Sequence, residues 1–237
     1  MIRRFAICGL AVQCDFRHRT MISRSEKYLS DCGAPDIVIP YPEQRIQSLC
    51  RSQPHITPDS AENMLTAEMF YTALLEHGGF MLHSSAVAVD GKAYLFSAPS
   101  GTGKSTHTAL WQEVFSERAF IINDDKPALM LSDSGITVYG TPWSGKSDLS
   151  ENIGVPLQGI CILERAAENH IHRLSDGDAA FGILDQTLRP KQEHSMSLLL
   201  DYIDRLITAV PVWRMGCNIS HDAALTAYRA MSEKSYY

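Results

Sequence analysis

The sequence predicts an α/β fold built on a mixed sheet, and three observations predict it. An apolar strand, Ala93 to Ser97, runs into the glycine-containing stretch Ala98-Pro99-Ser100-Gly101-Thr102-Gly103-Lys104-Ser105, which opens directly onto a helical pattern from Lys104 to Phe115. Asp90-Gly91 separates two apolar runs, Phe80 to Val89 and Lys92 to Ser97, a strong signal for an antiparallel hairpin because its tight turn needs positive φ. Strand and helix patterns then alternate to the end of the chain.

Each element has its own warrant. Arg3 and Arg4 precede an apolar stretch, Phe5 to Val12, which is short for a signal sequence and lacks a small-residue cleavage site at Gln13-Cys14-Asp15. It is expected to be a buried strand, with a second strand at Ile37 to Ile39, after which Pro40-Tyr41-Pro42 stops regular structure. Pro58-Asp59-Ser60 starts a helix that Asp59 or Ser60 can cap, with Leu65, Met69, Ala73 and Leu74 on one face and Gly78-Gly79 at its end. Beyond the glycine loop, strands are expected at Ala119 to Asn123, Ile136 to Gly140, Gly159 to Leu163 and Val212 to Met215. Helices are expected at Asp176 to Leu188 and at Ser195 to Ile207, the second carrying the stripe Leu199, Ile203, Leu206 and Val210. Ser220 caps a final helix through Met231. Residues 1–57 form a small N-terminal region with no legible role, and residues 58–237 form the main domain.

Composition excludes several classes. The 237 residues are 45% hydrophobic and 20% charged, which is ordinary for a globular chain. A net charge of −6 and no basic run argue against nucleic acid, and no segment is long and apolar enough to span a bilayer as a helix. The expected location is the cytoplasm. The six cysteines include no Cys-x-x-Cys pair and read as reduced, buried thiols.

The glycine loop carries the chemistry. Phosphate oxygens are held cheaply by backbone N–H groups curling onto a helix N-terminus, and Gly101 and Gly103 let the backbone do so. Ser100, Gly101, Thr102, Gly103, Lys104, Ser105 and Thr106 are the expected nucleotide-binding residues, with Lys104 reaching the β- and γ-phosphates and Ser105 presenting its hydroxyl to Mg²⁺. Phosphoryl transfer also needs carboxylates, and Asp124-Asp125 ends the next strand about twenty residues on. His83, in Leu82-His83-Ser84-Ser85, can hydrogen-bond an aspartate. Thr141-Pro142-Trp143-Ser144-Gly145-Lys146 reads either as a substrate or phosphate loop or as a surface turn, and Arg165 either as a charge-neutralising group or as a plain surface arginine.

From about Phe80 to Leu163 the pattern resembles the HPr serine kinase C-terminal domain, in the phosphoenolpyruvate-carboxykinase-like group of P-loop proteins. The resemblance rests on Leu82-His83-Ser84-Ser85-Ala86-Val87, the hairpin, Ser97 through Thr106, and Ile122-Asn123-Asp124-Asp125. It implies a mixed-sheet P-loop domain with a small N-terminal α+β appendage. It implies Mg²⁺-dependent transfer of phosphate from ATP, or GTP in its place, to a serine hydroxyl of a protein or peptide. Asp124 is then the general base, His83 its partner, Lys104 a catalytic residue, and Asp125 with Ser105 the metal ligands. Ser84 stands where HPr kinase proper has Gly, and the chain is closer to small stand-alone relatives that resemble lasso-peptide kinases. The family resemblance also implies a homo-oligomer. A small-molecule kinase of the same fold, or a non-catalytic nucleotide-gated binding module, are the competing readings.

Overall fold

The computed structural model describes residues 2–232. In chain order the elements are β1 (Arg3–Ile7), β2 (Leu10–Cys14), α1 (Arg19–Ser25), β3 (Ile37–Ile39), α2 (Glu43–Ser52), α3 (Pro58–Leu74), β4 (Gly79–Met81), β5 (Ser84–Val89), β6 (Lys92–Ser97), α4 (Lys104–Phe115) and β7 (Ala119–Asp125). They continue with β8 (Ala128–Ser132), β9 (Gly135–Tyr139), β10 (Gly154–Arg165), β11 (His170–Arg173), α5 (Asp176–Asp185), α6 (Glu193–Ala209), β12 (Val212–Cys217) and α7 (His221–Ser232). The result is a mixed α/β architecture.

The main sheet runs β4-β8-β9-β10-β6-β5-β7, with β12 also paired to β10 and β11 to β12. β10 is the long strand on which the sheet curls. Gly154 to Pro156 pair antiparallel with β9, Leu157 to Ile162 run parallel to β6, and Ile160 to Arg165 run parallel to β12. The expected hairpin is present: β5 pairs antiparallel with β6, and Asp90 and Gly91 take φ of 51° and 74°, the twist that suits a two-residue turn. β5 lies between β6 and β7, so its antiparallel pairing with each makes those two strands parallel.

All six residues of β5 are buried, because helices cover both faces of the sheet. Period-2 alternation divides them. Ala86 and Ala88 join Leu95 and Ile160 under Leu199, Ile203 and Leu206 of α6. Val87 and Val89 join Phe96 and Trp111 of α4 with Ala223, Ala224 and Ala227 of α7 on the other side. The apolar stripe expected on α6 is buried in full, including Val210 just past the helix.

The N-terminal region is a three-stranded sheet, β1-β2-β3, with α1 and α2. The single strand expected over Phe5 to Val12 is a hairpin instead, broken at Cys8-Gly9, where both residues have positive φ. Helices α1 and α2 and strands β8 and β11 lie where the sequence reading places no element, and β10 runs well beyond Gly159 to Leu163. Phe80 to Val89 divides at Leu82-His83, because β4 pairs with β8 while β5 pairs with β6 and β7. The sheet shares a core with the rest of the chain: Phe5, Ile7, Phe16 and Ile39 cluster with Phe70, Tyr71, Leu74 and Trp143. Thr57, not Asp59 or Ser60, caps α3, its Oγ1 accepting the Ser60 N–H at 3.2 Å. Asp59 turns instead to α1, accepting the Thr20 N–H at 3.0 Å and the Thr20 hydroxyl. Glu62, fully buried, accepts the N–H groups of Arg17 and His18 at 2.7 and 2.9 Å. Burial pushes the Glu62 carboxyl above its ordinary value, and those two backbone bonds oppose the shift.

Among the described residues no helix is long and apolar enough to cross a membrane.

Candidate functional site

β6 delivers the glycine loop to the edge of a cavity of about 620 Å³ lined by His83, Lys104, Asp124, Asp125 and Lys146, among others. Gly101 and Gly103 have φ of 80° and 123°, and a Cβ built on either would meet nothing within 4 Å. Backbone conformation, not crowding, therefore demands glycine at both positions. Gly103 precedes the first turn of α4, so the free N–H groups of that turn face the loop. Lys104 is nearly buried and its Nζ donates to the Ala98 carbonyl at 2.9 Å. Burial lowers its pKa, while Asp125 and Asp124 pull the other way.

The acidic pair is divided between two partners, and not as the resemblance implied. Ser105 donates its hydroxyl to Asp124 Oδ1 at 2.8 Å, and Ser147 donates to Oδ2 of the same carboxylate. His83 Nε2 lies 3.1 Å from Asp125 Oδ1, and Lys126 Nζ contacts the other oxygen. The resemblance made His83 the partner of Asp124 and grouped Ser105 with Asp125 as metal ligands, whereas here His83 contacts Asp125 and Ser105 contacts Asp124. The sheet gives the reason. Ala86 opposes Asn123 but Val87 opposes Ile121, so Ile122 is an extra residue in β7. Such a bulge inverts which face later side chains occupy. It sets Asp124 opposite Ser85, whose hydroxyl bonds to Thr108 of α4, and so on the face that carries Ser105.

Asp125 has a φ of 118°, a conformation that costs a non-glycine residue of order 1–3 kcal/mol. Burial works against its charge, but the His83 hydrogen bond and the Lys126 ammonium outweigh it and hold the carboxyl down at about 2. His83 lies in the break before β5, not on the paired strand. Its N–H donates to the Gln186 carbonyl at 2.7 Å, and its Nδ1 lies 3.3 Å from Gln186 Oε1.

Thr141 to Lys146 does two jobs. Thr141 and Trp143 are buried anchors: Thr141 bonds to Tyr71, and the Trp143 indole N–H donates to Thr66 Oγ1 at 3.0 Å. The following residues reach the site, where the Gly145 N–H donates to the Asp124 carbonyl at 2.6 Å and Lys146 lines the cavity. A Cβ at Gly145 would stand 3.0 Å from the Asp125 Cβ, so loop and acidic pair are in close approach. Arg165 does not line this cavity. It donates to the Gly101 and Thr102 carbonyls at 2.5 and 3.2 Å and braces the glycine loop from outside.

Sequence reasoning missed Ser147, Lys126 and Arg24. Lys126 directly follows the acidic pair, and Ser147 extends a loop already singled out, so both carried a local signal. Arg24 carried none. From α1 it donates to the Ser144 and Gly145 carbonyls at 2.7 and 2.8 Å and meets Asp148 at 2.8 Å. The Asp148 half of this pair is exposed and contributes little, so the two carbonyl bonds matter most. Replacing Arg24 by Met keeps the stem but removes all three contacts. The expected result is about 1–3 kcal/mol of lost stability by urea unfolding. Amide exchange at residues 144–148 should also rise several-fold, and unchanged exchange there would contradict the bracing role.

The donor set suits a magnesium nucleotide. Asp124 and Ser105 offer hard oxygens beside backbone N–H groups and a lysine, and Mg²⁺ is commonly bound through one or two carboxylates plus substrate phosphates. Among the described residues no group of three or more His, Cys, Asp and Glu is arranged to hold a metal by itself.

Fold and site together define a mixed-sheet α/β protein with a glycine loop, a lysine and an acidic pair around one cavity. The chain belongs to the family described as SynChlorMet cassette protein ScmC, whose model matches residues 56–220. No curated protein matches. Among solved structures the chain is similar to the Hpr(Ser) kinase/phosphatase from Coxiella burnetii, at 9% identity and a TM-score of 0.37, over 65% of this chain and 99% of that one.

Proposed function

We propose that this protein transfers the terminal phosphate of Mg–ATP to a serine hydroxyl of a protein or peptide. The observation that carries the reading is the convergence of Lys104, the Ser105–Asp124 pair and the His83–Asp125 pair on one cavity at the mouth of the glycine loop. In this reading the loop N–H groups and Lys104 hold the phosphates. Ser105 and Asp124 hold the metal, which when bound neutralises charge on the β- and γ-phosphate oxygens. Asp125 faces the acceptor hydroxyl. The serine oxygen bonds to the γ-phosphorus, the bond from that phosphorus to the ADP oxygen breaks, and the hydroxyl proton passes to Asp125. A carboxylate held at about 2 is a weak base, but it is fully ionised and fixed in place. Orientation is the main demand where the transition state is loose and the proton leaves late. The uncommon backbone of Asp125 favours this catalytic reading over a nucleotide-gated binding module, because strain of that kind collects at reactive positions.

Calorimetry of Lys104→Ala against Mg–ATP tests the nucleotide site. Charge-assisted bonds are each worth about 1.5–3 kcal/mol, so affinity is expected to fall by about ten- to a hundredfold. Equal affinity in the variant, or no ATP or GTP binding by the wild type in saturating magnesium, contradicts the reading. Labelled ATP with serine-containing peptides and mass spectrometry then tests the acceptor. Nucleotide binding without transfer to any of them would favour the module.

A further inference from the structure

Next to the acidic pair lies a layer of buried polar side chains: Asn123, Thr141, Ser150, Tyr28 and Tyr71. None of them lines the cavity. Asn123 is at the centre and has no exposed surface. Its neighbours fix which way its amide points, because a backbone N–H can only donate and a carbonyl can only accept. Oδ1 accepts the Lys126 N–H at 2.8 Å, while Nδ2 donates to the Thr141 carbonyl at 2.9 Å and to Ser150 Oγ at 3.2 Å. Ser150 donates its own hydroxyl to the Thr141 carbonyl at 2.8 Å. That leaves Tyr28, 122 residues away in the chain, as the donor in the 2.5 Å contact between the Tyr28 and Ser150 oxygens. On the other side the Tyr71 hydroxyl donates to the Lys126 carbonyl at 2.6 Å. Burial raises both phenols above their ordinary value, so each keeps the proton it donates.

These bonds close on one stretch of backbone. Lys126 has its N–H held by Asn123 of β7 and its carbonyl held by Tyr71 of α3. The two residues bridged by the Asn123 side chain are Asp124 and Asp125, and Asp125 is the one with a φ of 118°. A backbone in that region persists only where its surroundings over-determine it. We infer that Asn123 and Tyr71 are positioning residues that hold the Asp125 carboxylate towards the acceptor, and that Tyr28 extends this hold into the N-terminal region. The inference rests on the transfer reading above and gives residues 1–57 a part in it. Each side chain acts through the backbone of the acidic pair and touches neither nucleotide nor acceptor.

The test compares Asn123→Ala and Tyr71→Phe with the wild type and with Leu199→Ala, a control whose side chain lies in a different core cluster. Urea unfolding gives the folded fraction, single-turnover transfer at saturating Mg–ATP gives the rate per folded molecule, and calorimetry gives the nucleotide affinity. Asn123→Ala is expected to transfer about a hundredfold more slowly and Tyr71→Phe about tenfold, since misplacing a reacting group by about 1 Å costs on that order. Both are expected to bind Mg–ATP within about threefold of the wild type, and Leu199→Ala to keep the wild-type rate per folded molecule. Tyr71→Phe deletes one oxygen and keeps the ring against Phe70 and Trp143, so it decides the matter if Asn123→Ala does not fold. A wild-type rate per folded molecule in Tyr71→Phe, or an equal slowing in Leu199→Ala, overturns the positioning role and leaves the transfer reading standing. ATP affinity falling in step with the rate also overturns it, because the layer would then serve the nucleotide and not Asp125. If the wild type transfers to no serine peptide, the transfer reading itself fails and the positioning role falls with it.

Discussion

Asp125→Asn is expected to bind Mg–ATP within about threefold of the wild type and to transfer phosphate about 10²–10⁴ times more slowly, whereas Asp124→Asn is expected to lose magnesium-dependent binding first. The two side chains are adjacent in sequence and nearly isosteric with their replacements, so the contrast isolates charge and position. Asp124 has both oxygens occupied by the hydroxyls of Ser105 and Ser147 and lies on the face of α4. In the proposed mechanism removing its charge weakens magnesium binding and spares the acceptor side. Asp125 has His83 on one oxygen and Lys126 beside the other, so in the proposed mechanism removing its charge spares the metal side and takes away the group that receives the proton. Calorimetry with and without magnesium, alongside single-turnover transfer, reads both effects. The reverse outcome, with transfer lost in Asp124→Asn while its binding is retained, would restore the assignment that the family resemblance implied and remove any role for the bulge at Ile122. Equal behaviour of the two variants would mean the pair acts as a single acidic patch.

Trp143→Ala is expected to cost about 3–5 kcal/mol of stability, the range for emptying a buried aromatic site. Trp143 has no exposed surface. Its ring stacks on Phe70 at 4.6 Å between centroids and meets Tyr71 edge-on at 5.7 Å. Its indole N–H is bonded to Thr66 of α3, so truncation also leaves that hydroxyl with one partner fewer. The loss extends beyond the core, because Trp143 ties the N-terminal sheet and α3 to the loop that carries Gly145, Lys146 and Ser147. Urea unfolding followed by circular dichroism measures the first effect, and nucleotide affinity in the folded fraction measures the second. Trp143→Phe keeps most of the stacking and is expected to lose less than half as much. A loss below about 1 kcal/mol for the alanine variant would show that the cluster does not weld the N-terminal region to the site.

Much of the framework was legible because its signals are local. Asp90-Gly91 demanded positive φ at two successive residues, and the turn has it. The span of α4 was readable to the residue, since the glycine loop marks one end and Phe115 closes the apolar pattern at the other. The stripe Leu199, Ile203, Leu206 and Val210 predicted its own burial. Elements without such marks were lost or misjudged. Cys8-Gly9 turns the chain without the usual turn residues, and β8 lies behind Pro127, where pairing with β4 and β9 decides it. The site divides the same way. The residues that gather at the cavity were visible as types, but their pairing depends on a register slip of one residue between β5 and β7, and no local pattern announces it.

By itself the sequence determined the mixed-sheet α/β class, the hairpin, the glycine loop on its helix, and the presence of an acidic pair one strand away. Each of these is encoded by φ preference or by hydrophobic period within a short window. Tertiary structure alone decided which aspartate meets Ser105, that Arg24 grips the Ser144 and Gly145 carbonyls from 120 residues away, and that Trp143 is core rather than substrate loop. Those outcomes depend on which surfaces meet when the sheets and helices close over one another, and side chains distant in the chain become neighbours only then.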